Sequence, residues 1–308
     1  MTVTQTLKLS SAYRQIEHPG FLTLVSDDRI DFLQRMSTND LTTLQAGQVI
    51  TTVLTDVAAR ILDVLQVFTL NESTLGVVTL PGRAGKTFAF LKGKIFFNDK
   101  VTINNRSAEY RILDVYAESN AINSILTAPP DLHHCSVSAD GTIAIHQPGL
   151  ADLESYRLIV TGDTFDQTLH SLTEADVSEF DQATFDALRI ASGVPGSDTE
   201  WNQSYTPLET NLRWAIAMNK GCYTGQEVIA RQVNYDKITR QMARIQLAGM
   251  TQPGAKVKAG GKSVGEITSV AMHPEMGAIA LGVIKRPHFK PGTQLDIEGI
   301  SGQIMAIL

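Results

Sequence analysis

The last quarter of the chain is punctuated differently from the rest. From Gln241 onward, short apolar runs alternate with Pro253-Gly254, Gly260-Gly261, Gly265, Pro287 and Pro291-Gly292. Strands at intervals of roughly 8–12 residues fit this punctuation. Residues 241–308 therefore predict a small β-barrel or sandwich, with a domain boundary near Arg240.

Residues 1–240 read as α+β. Phe21 to Val25 has the composition of a buried strand, and Asp27 and Asp28 offer N-cap chemistry for a helix running to Met36. Strands are expected at Val49–Leu54, Ile61–Leu70 and Thr74–Thr79. A helix follows over Lys86–Lys94, then strands at Val101–Ile103 and Tyr110–Val115. That order suggests a compact α+β subdomain over about residues 50–115. Further on, Tyr156–Thr161 reads as a strand, and Phe165–Leu172 and Ser178–Ser192 read as helices. Gly193 and Pro195 stop the second of these.

Composition narrows the function classes. The chain has 308 residues, enough for about two to three domains, and its formal net charge is −6. An acidic chain lacks the general basic field that favours nucleic acid or a membrane. No apolar stretch reaches the ~18 residues of a membrane span, and MTVTQTLKLS lacks a secretory pattern. The expected location is the cytoplasm. The two cysteines, Cys135 and Cys222, form no CxxC pair, and His133-His134-Cys135 reads as a solvated loop. No metal site is expected.

Lys220-Gly221-Cys222-Tyr223-Thr224-Gly225-Gln226-Glu227 is the most informative segment. Thr224 and Glu227 have capping-box spacing, which predicts a helix start at Thr224. Cys222 would then lie just before a helix N-terminus, where the dipole and nearby Lys220 favour a thiolate. Such a thiol can act as a nucleophile, a redox sensor or a transient metal ligand. Tight packing and a buried free cysteine account for the same residues without any chemistry.

That octapeptide resembles the KGCYxGQE signature of the YgfZ folate-binding proteins, relatives of the glycine-cleavage T-protein, an aminomethyltransferase. The resemblance extends over nearly the whole chain. Phe32-Leu33-Gln34 with Thr38-Asn39-Asp40 and Gly47 is similar to an early family segment. Leu188-Arg189-Ile190 with Gly193 and Pro195, Pro207-Leu208-Glu209 with Asn211-Leu212, and Gly265 to Ser269 are similar to later ones. The resemblance implies three domains in a ring around a central channel: a folate-binding module over 1–240, with a ferredoxin-like α+β subdomain inside it, and a C-terminal barrel over 241–308. Tetrahydrofolate or a derivative would occupy the channel. The implied role is support of iron–sulfur cluster assembly or repair, with indirect effects on tRNA modification. Folate and iron–sulfur client or assembly proteins are the implied partners.

Two departures from the T-protein pattern bear on enzymatic activity. The T-protein's paired acids match Asp63 and Val64 here, so the second acid is absent. A glutamate that recognises the pterin ring falls on Ala191. Both argue against aminomethyl transfer, which stays the competing reading. Arg189, Trp201, Glu209 and Asp63 are the folate-binding candidates. Glu209 could replace the lost pterin acid, and Trp201, in a polar loop, could stack on a ring. Trp214, among apolar neighbours, is expected in the core. Asp63 otherwise reads as an outward-facing polar residue of a half-buried strand, and Arg189 as a helix-surface residue in a salt bridge.

Overall fold

The computed structural model describes residues 11–308. The N-terminal pattern read from MTVTQTLKLS lies outside the described residues. The chain opens with β1 (Ala12–Gln15), β2 (Gly20–Val25) and α1 (Arg29–Met36). It continues through β3 (Val49–Thr55), β4 (Ile61–Asn71), β5 (Thr74–Thr79), α2 (Ala84–Lys92) and β6 (Thr102–Asn105). A five-stranded antiparallel sheet forms in the order β3-β4-β5-β2-β6. One face, bearing Leu22, Leu24, Leu65, Val67, Leu75 and Val77, packs on Phe32, Leu33 and Leu91 of the two helices.

The opposite face carries Phe21, Val49, Phe68 and Val78. It meets a second sheet built from β7 (Tyr110–Ala117), β8 (Cys135–Val137), β9 (Ile143–Leu150), β10 (Leu153–Thr161) and β11 (Ser178–Glu179), ordered β11-β1-β7-β10-β9-β8. Ile112, Ile143, Ile145 and Ile159 point at the first sheet. Leu113, Val115, Leu158 and Val160 point the other way, onto Ile122 of α3 (Ser119–Ile125) and Leu172 of α4 (Gly162–Glu174). Both faces of the central strands are covered, so their sequences run apolar almost without interruption. Beside the apolar contact, Arg157 makes a two-pronged bond to Asp114 (2.7 and 2.8 Å) and donates to Gln66 of the first sheet at 2.7 Å.

After α5 (Gln182–Ala191), residues 192–225 run without long regular elements to α6 (Gln226–Asn234). The barrel then closes from β12 (Arg240–Leu247), β13 (Lys256–Ala259), β14 (Lys262–His273), β15 (Gly277–Lys285), β16 (Gln294–Ile297) and β17 (Ile300–Ile307), in the order β12-β15-β14-β13-β16-β17. Closure leaves no unpaired sheet edge. Its outer wall receives Ala187 and Ile190 of α5 against Met242, Ala271, Ile279 and Leu281.

Several expectations need redrawing. The α+β unit expected at about 50–115 starts at β2 and ends at β6, because Tyr110–Ala117 pairs into the second sheet. The helix expected over Ser178–Ser192 splits. Ser178 and Glu179 pair with β1, and the helix begins after Asp181, whose carboxylate accepts from the Thr184 N–H at 2.9 Å. The helix expected over Lys86–Lys94 is shifted by two residues to Ala84–Lys92.

Candidate functional site

The signature loop is held from both sides. Lys220 reaches back 186 positions to the C-terminal end of α1. Its ammonium donates to the carbonyls of Gln34, Ser37 and Asn39, each at 2.7 Å, and to Gln34 Oε1 at 3.2 Å. The Gln34 carbonyl is one of the orphan acceptors that a helix end leaves open, and those of Ser37 and Asn39 lie just past that end. Burial pulls the Lys220 pKa down to about 8, against a smaller opposing pull from Asp40. The three carbonyls favour the charged form and keep the proton on at neutral pH. Thr38 stitches the same region. Its Oγ1 donates to the Ala215 carbonyl at 2.7 Å, and its own carbonyl accepts from the Ala217 N–H at 3.0 Å.

On the other side, Tyr223 is buried with Ala59, Leu208, Ile216 and Ile229, and its ring lies 5.3 Å from the Lys220 ammonium. Thr55 Oγ1 donates to the Thr224 carbonyl at 2.5 Å. Gly225 sits at φ +86, and a Cβ there would lie 2.7 Å from the Asp56 carbonyl oxygen and 2.8 Å from Thr55 Oγ1. Only glycine fits this approach to the β3–β4 turn. Between the anchors, Gly221 and Cys222 are exposed.

One expectation about this loop is corrected. Thr224 does not cap the helix. The N-cap is Gly225, the helix starts at Gln226, and Glu227 is exposed. The Lys220 ammonium keeps its charge while it donates to the carbonyls at the end of α1. Replacing it tests the anchor. Lys220→Met leaves three carbonyls without their donor and is expected to cost about 2–3 kcal/mol, read from urea unfolding. A change within about 0.5 kcal/mol, the range of an ordinary surface substitution, would assign the loop's order to other contacts.

The four folate-binding candidates are each engaged by other parts of the protein. Arg189 is 7% exposed and saturated. It donates to Asp186 at 2.5 Å, to Ser269 of the barrel at 3.0 Å and to the Val194 carbonyl at 3.4 Å, and lies 3.6 Å from Glu200. It is thus an internal residue joining α5 to β14, not a helix-surface one. Glu209 is held between domains by a two-pronged bond from Arg240 (2.8 and 2.9 Å), with Arg60 at 3.4 Å. It also accepts from the Thr206 N–H at 2.9 Å, the reach-back that was expected at Glu227. Neither group has a free edge for a pterin.

The tryptophans exchange roles. Trp201 packs on Val53, Ile61, Val64, Leu80 and Leu212, and its indole donates to the Thr210 carbonyl at 3.2 Å. Trp214 is 54% exposed, with its indole N–H on the Asn211 carbonyl at 2.9 Å. Asp63 is fully buried rather than outward-facing. One carboxylate oxygen accepts from the Val64 and Leu80 N–H groups at 2.8 and 3.0 Å, and the other from the Thr87 hydroxyl. Burial raises its pKa to about 7 in spite of these donors.

Sequence reasoning passed over Glu200. It is fully buried and bonded to the Gly196 N–H, Thr199 and Ser269 at 2.7, 2.5 and 2.7 Å. A lone glutamate in a polar loop carries no sequence signal for this. Two open clefts, of about 480 and 410 Å³, are lined around Asn71 and Arg106 and around Arg83 and Lys86. Neither includes Cys222, Arg189, Trp201, Glu209 or Asp63. Among the described residues no group of three metal-ligating side chains converges, and no helix is long and apolar enough to cross a membrane.

Residues 240–307 match the glycine cleavage T-protein C-terminal barrel domain. A crystal structure of the glycine cleavage system aminomethyltransferase T from Bartonella henselae superposes with a TM-score of 0.85, at 19% identity, over 96% of this chain and 85% of that one. The chain has the T-protein fold. Similarity in sequence runs along the same length. A chloroplastic protein of Arabidopsis thaliana, described as a candidate transferase, is 28% identical over 95% of this chain and 69% of its own. An aminomethyltransferase of Rippkaea orientalis is 26% identical over 94% and 82%. Within the T-protein fold, both departures from the T-protein pattern occupy committed positions here. Val64 is buried on β4, and Ala191 ends α5 with its carbonyl accepting from Arg244.

Proposed function

We propose that this protein is a folate-binding accessory factor, acting in the cytoplasm, that supports assembly or repair of iron–sulfur clusters. It would affect tRNA modification through the clusters of modifying enzymes. The observation that carries the reading is the display of Cys222. An exposed thiol sits between two anchored neighbours, in the segment that resembles the YgfZ signature. A fixed, accessible thiol suits transient contact with a sulfur or cluster species on another protein. Tetrahydrofolate or a derivative is the proposed ligand, on the strength of the fold.

The test is cellular. Deletion of the gene is expected to lower the activity of a panel of iron–sulfur enzymes, and wild type but not Cys222→Ala restores it. Equal rescue by Cys222→Ala would remove the thiol from the mechanism. Unchanged enzymes after deletion would remove the accessory role.

The second reading is a tetrahydrofolate-dependent aminomethyltransferase. It is favoured by the fold and by relatives named for that activity along most of the chain. It is opposed by Val64 and Ala191, which supply no carboxylate. Turnover with tetrahydrofolate and an aminomethylated lipoyl carrier would decide for it.

A further inference from the structure

The segment after α2 displays two adjacent phenylalanines to solvent. Phe96 is 62% and Phe97 103% exposed. Their backbone is not loose. Asp99 Oδ2 accepts from the Phe96 N–H at 2.8 Å, and the Asp99 N–H returns to the Phe96 carbonyl at 3.0 Å. Arg35 of α1 grips Asp99 Oδ1 at 2.7 Å, and the Lys100 N–H is held by Asp28 at 2.7 Å. Two phenyl rings are thus held out on a rigid turn, against the usual cost of exposing them.

Lys92, Lys94 and Lys100 flank the turn in sequence, and Lys86 lies toward the other end of α2. Lys86, Lys92, Lys94 and Lys100 are all exposed. Among the described residues none of the four ammonium groups pairs with a carboxylate. Lys92 and Lys94 instead lie over the rings of Phe88 and Phe90, at 5.5 and 5.7 Å. The nearest acid in sequence, Asp99, is neutralised by Arg35. Residues 84–100 therefore carry a formal +3 (four lysines less Asp99) in a chain whose total is −6.

We propose that this tip is a docking site for an anionic lipid surface, with Phe96 and Phe97 entering the interfacial layer and Lys92, Lys94 and Lys100 resting on the headgroups. Charge complementarity fixes the sign of the partner: adjoining Asp27, Asp28 and Asp31 against Arg29 and Arg35 still leaves a net +2, and screening over about 8 Å limits the pull of acids farther off. Area selects lipid over protein. A stable protein interface takes about 800 Å² from each side, and this tip offers two rings flanked by Gly93, Asn98 and lysines. A bilayer needs no shape complement, only an apolar wedge with a cationic collar. The proposal is independent of the folate and iron–sulfur reading.

The experiment is co-sedimentation of the full chain with vesicles of 30% phosphatidylglycerol in phosphatidylcholine, and with phosphatidylcholine alone. Binding is expected on the first only, and is expected to weaken with added salt. Each lysine is worth about a fivefold change in affinity at such a surface, so Lys92→Gln with Lys94→Gln should weaken binding about 25-fold. Phe96→Ser with Phe97→Ser should weaken it at least tenfold, and Lys258→Gln with Lys262→Gln on the barrel should leave it unchanged. All these side chains are exposed, and unaltered thermal unfolding verifies that each variant is folded. No binding to the anionic vesicles, or equal binding by wild type and the two tip variants, overturns the proposal.

Discussion

Glu209→Ala is expected to lower stability by about 3–5 kcal/mol, the usual cost of removing one member of a buried ion pair. The carboxylate is 4% exposed and serves four donors from three parts of the chain. Arg60 lies at the β3–β4 turn, Arg240 is the first residue of the barrel, and Thr206 belongs to the irregular segment. Its loss leaves the guanidinium of Arg240, which is only 27% exposed, without its counter-charge. Adding Arg240→Met to Glu209→Ala should recover part of the loss, because the unpaired charge goes with it. Urea unfolding of the two single variants and the double variant checks this. A loss below about 1 kcal/mol in the single variant, typical of an exposed pair, would mean that water replaces the clamp.

The second large effect concerns pH. Asp63 has its pKa raised from 3.8 to about 7, chiefly by burial. Between these values the native carboxyl holds a proton that the unfolded one releases. Stability contributed by this group is therefore present below about pH 4 and is lost as pH rises to about 7. The difference is about three pKa units, or roughly 4 kcal/mol at ~1.4 kcal/mol per unit. Asp63→Asn imitates the protonated acid. Its amide oxygen can accept from the Val64 and Leu80 N–H groups, and its NH₂ can donate to the Thr87 hydroxyl. The variant should match wild type near pH 4 and exceed it by about 2–4 kcal/mol at pH 8. Parallel stability curves for the two proteins across that range would place the Asp63 pKa near its ordinary value.

Local grammar made much of the fold legible. Glycine and proline spacing marked the strands after Arg240, and Gly193, at φ +72, marked the end of α5. What stayed hidden depends on partners far away in sequence. Trp201 sits among polar neighbours and packs in a core, while Trp214 sits among apolar ones and faces solvent. Sequence neighbours on an irregular segment carry no periodicity, so their polarity does not report on contacts. Asp63 was misplaced for another reason. Alternation separates buried from exposed faces only where one face meets water, and β4 is covered on both.

At the candidate site the cap spacing of the octapeptide misled about local geometry. Thr224 and Glu227 have the spacing of a cap, yet the close approach to Asp56 falls at Gly225, and the N-cap moves one residue on to that glycine. Lys220 and Cys222 are close in sequence, yet the acceptors of the lysine ammonium are 181 to 186 residues away.

That separation also orders events during synthesis. The end of α1 leaves the ribosome long before Lys220 exists, so its carbonyls wait for a donor made some 180 residues later. Long-range closures of this kind form late, after the sheets they join. The thiol loop is accordingly among the last parts to be set, and a chain stopped short of residue 220 has its first sheet without the loop that exposes Cys222.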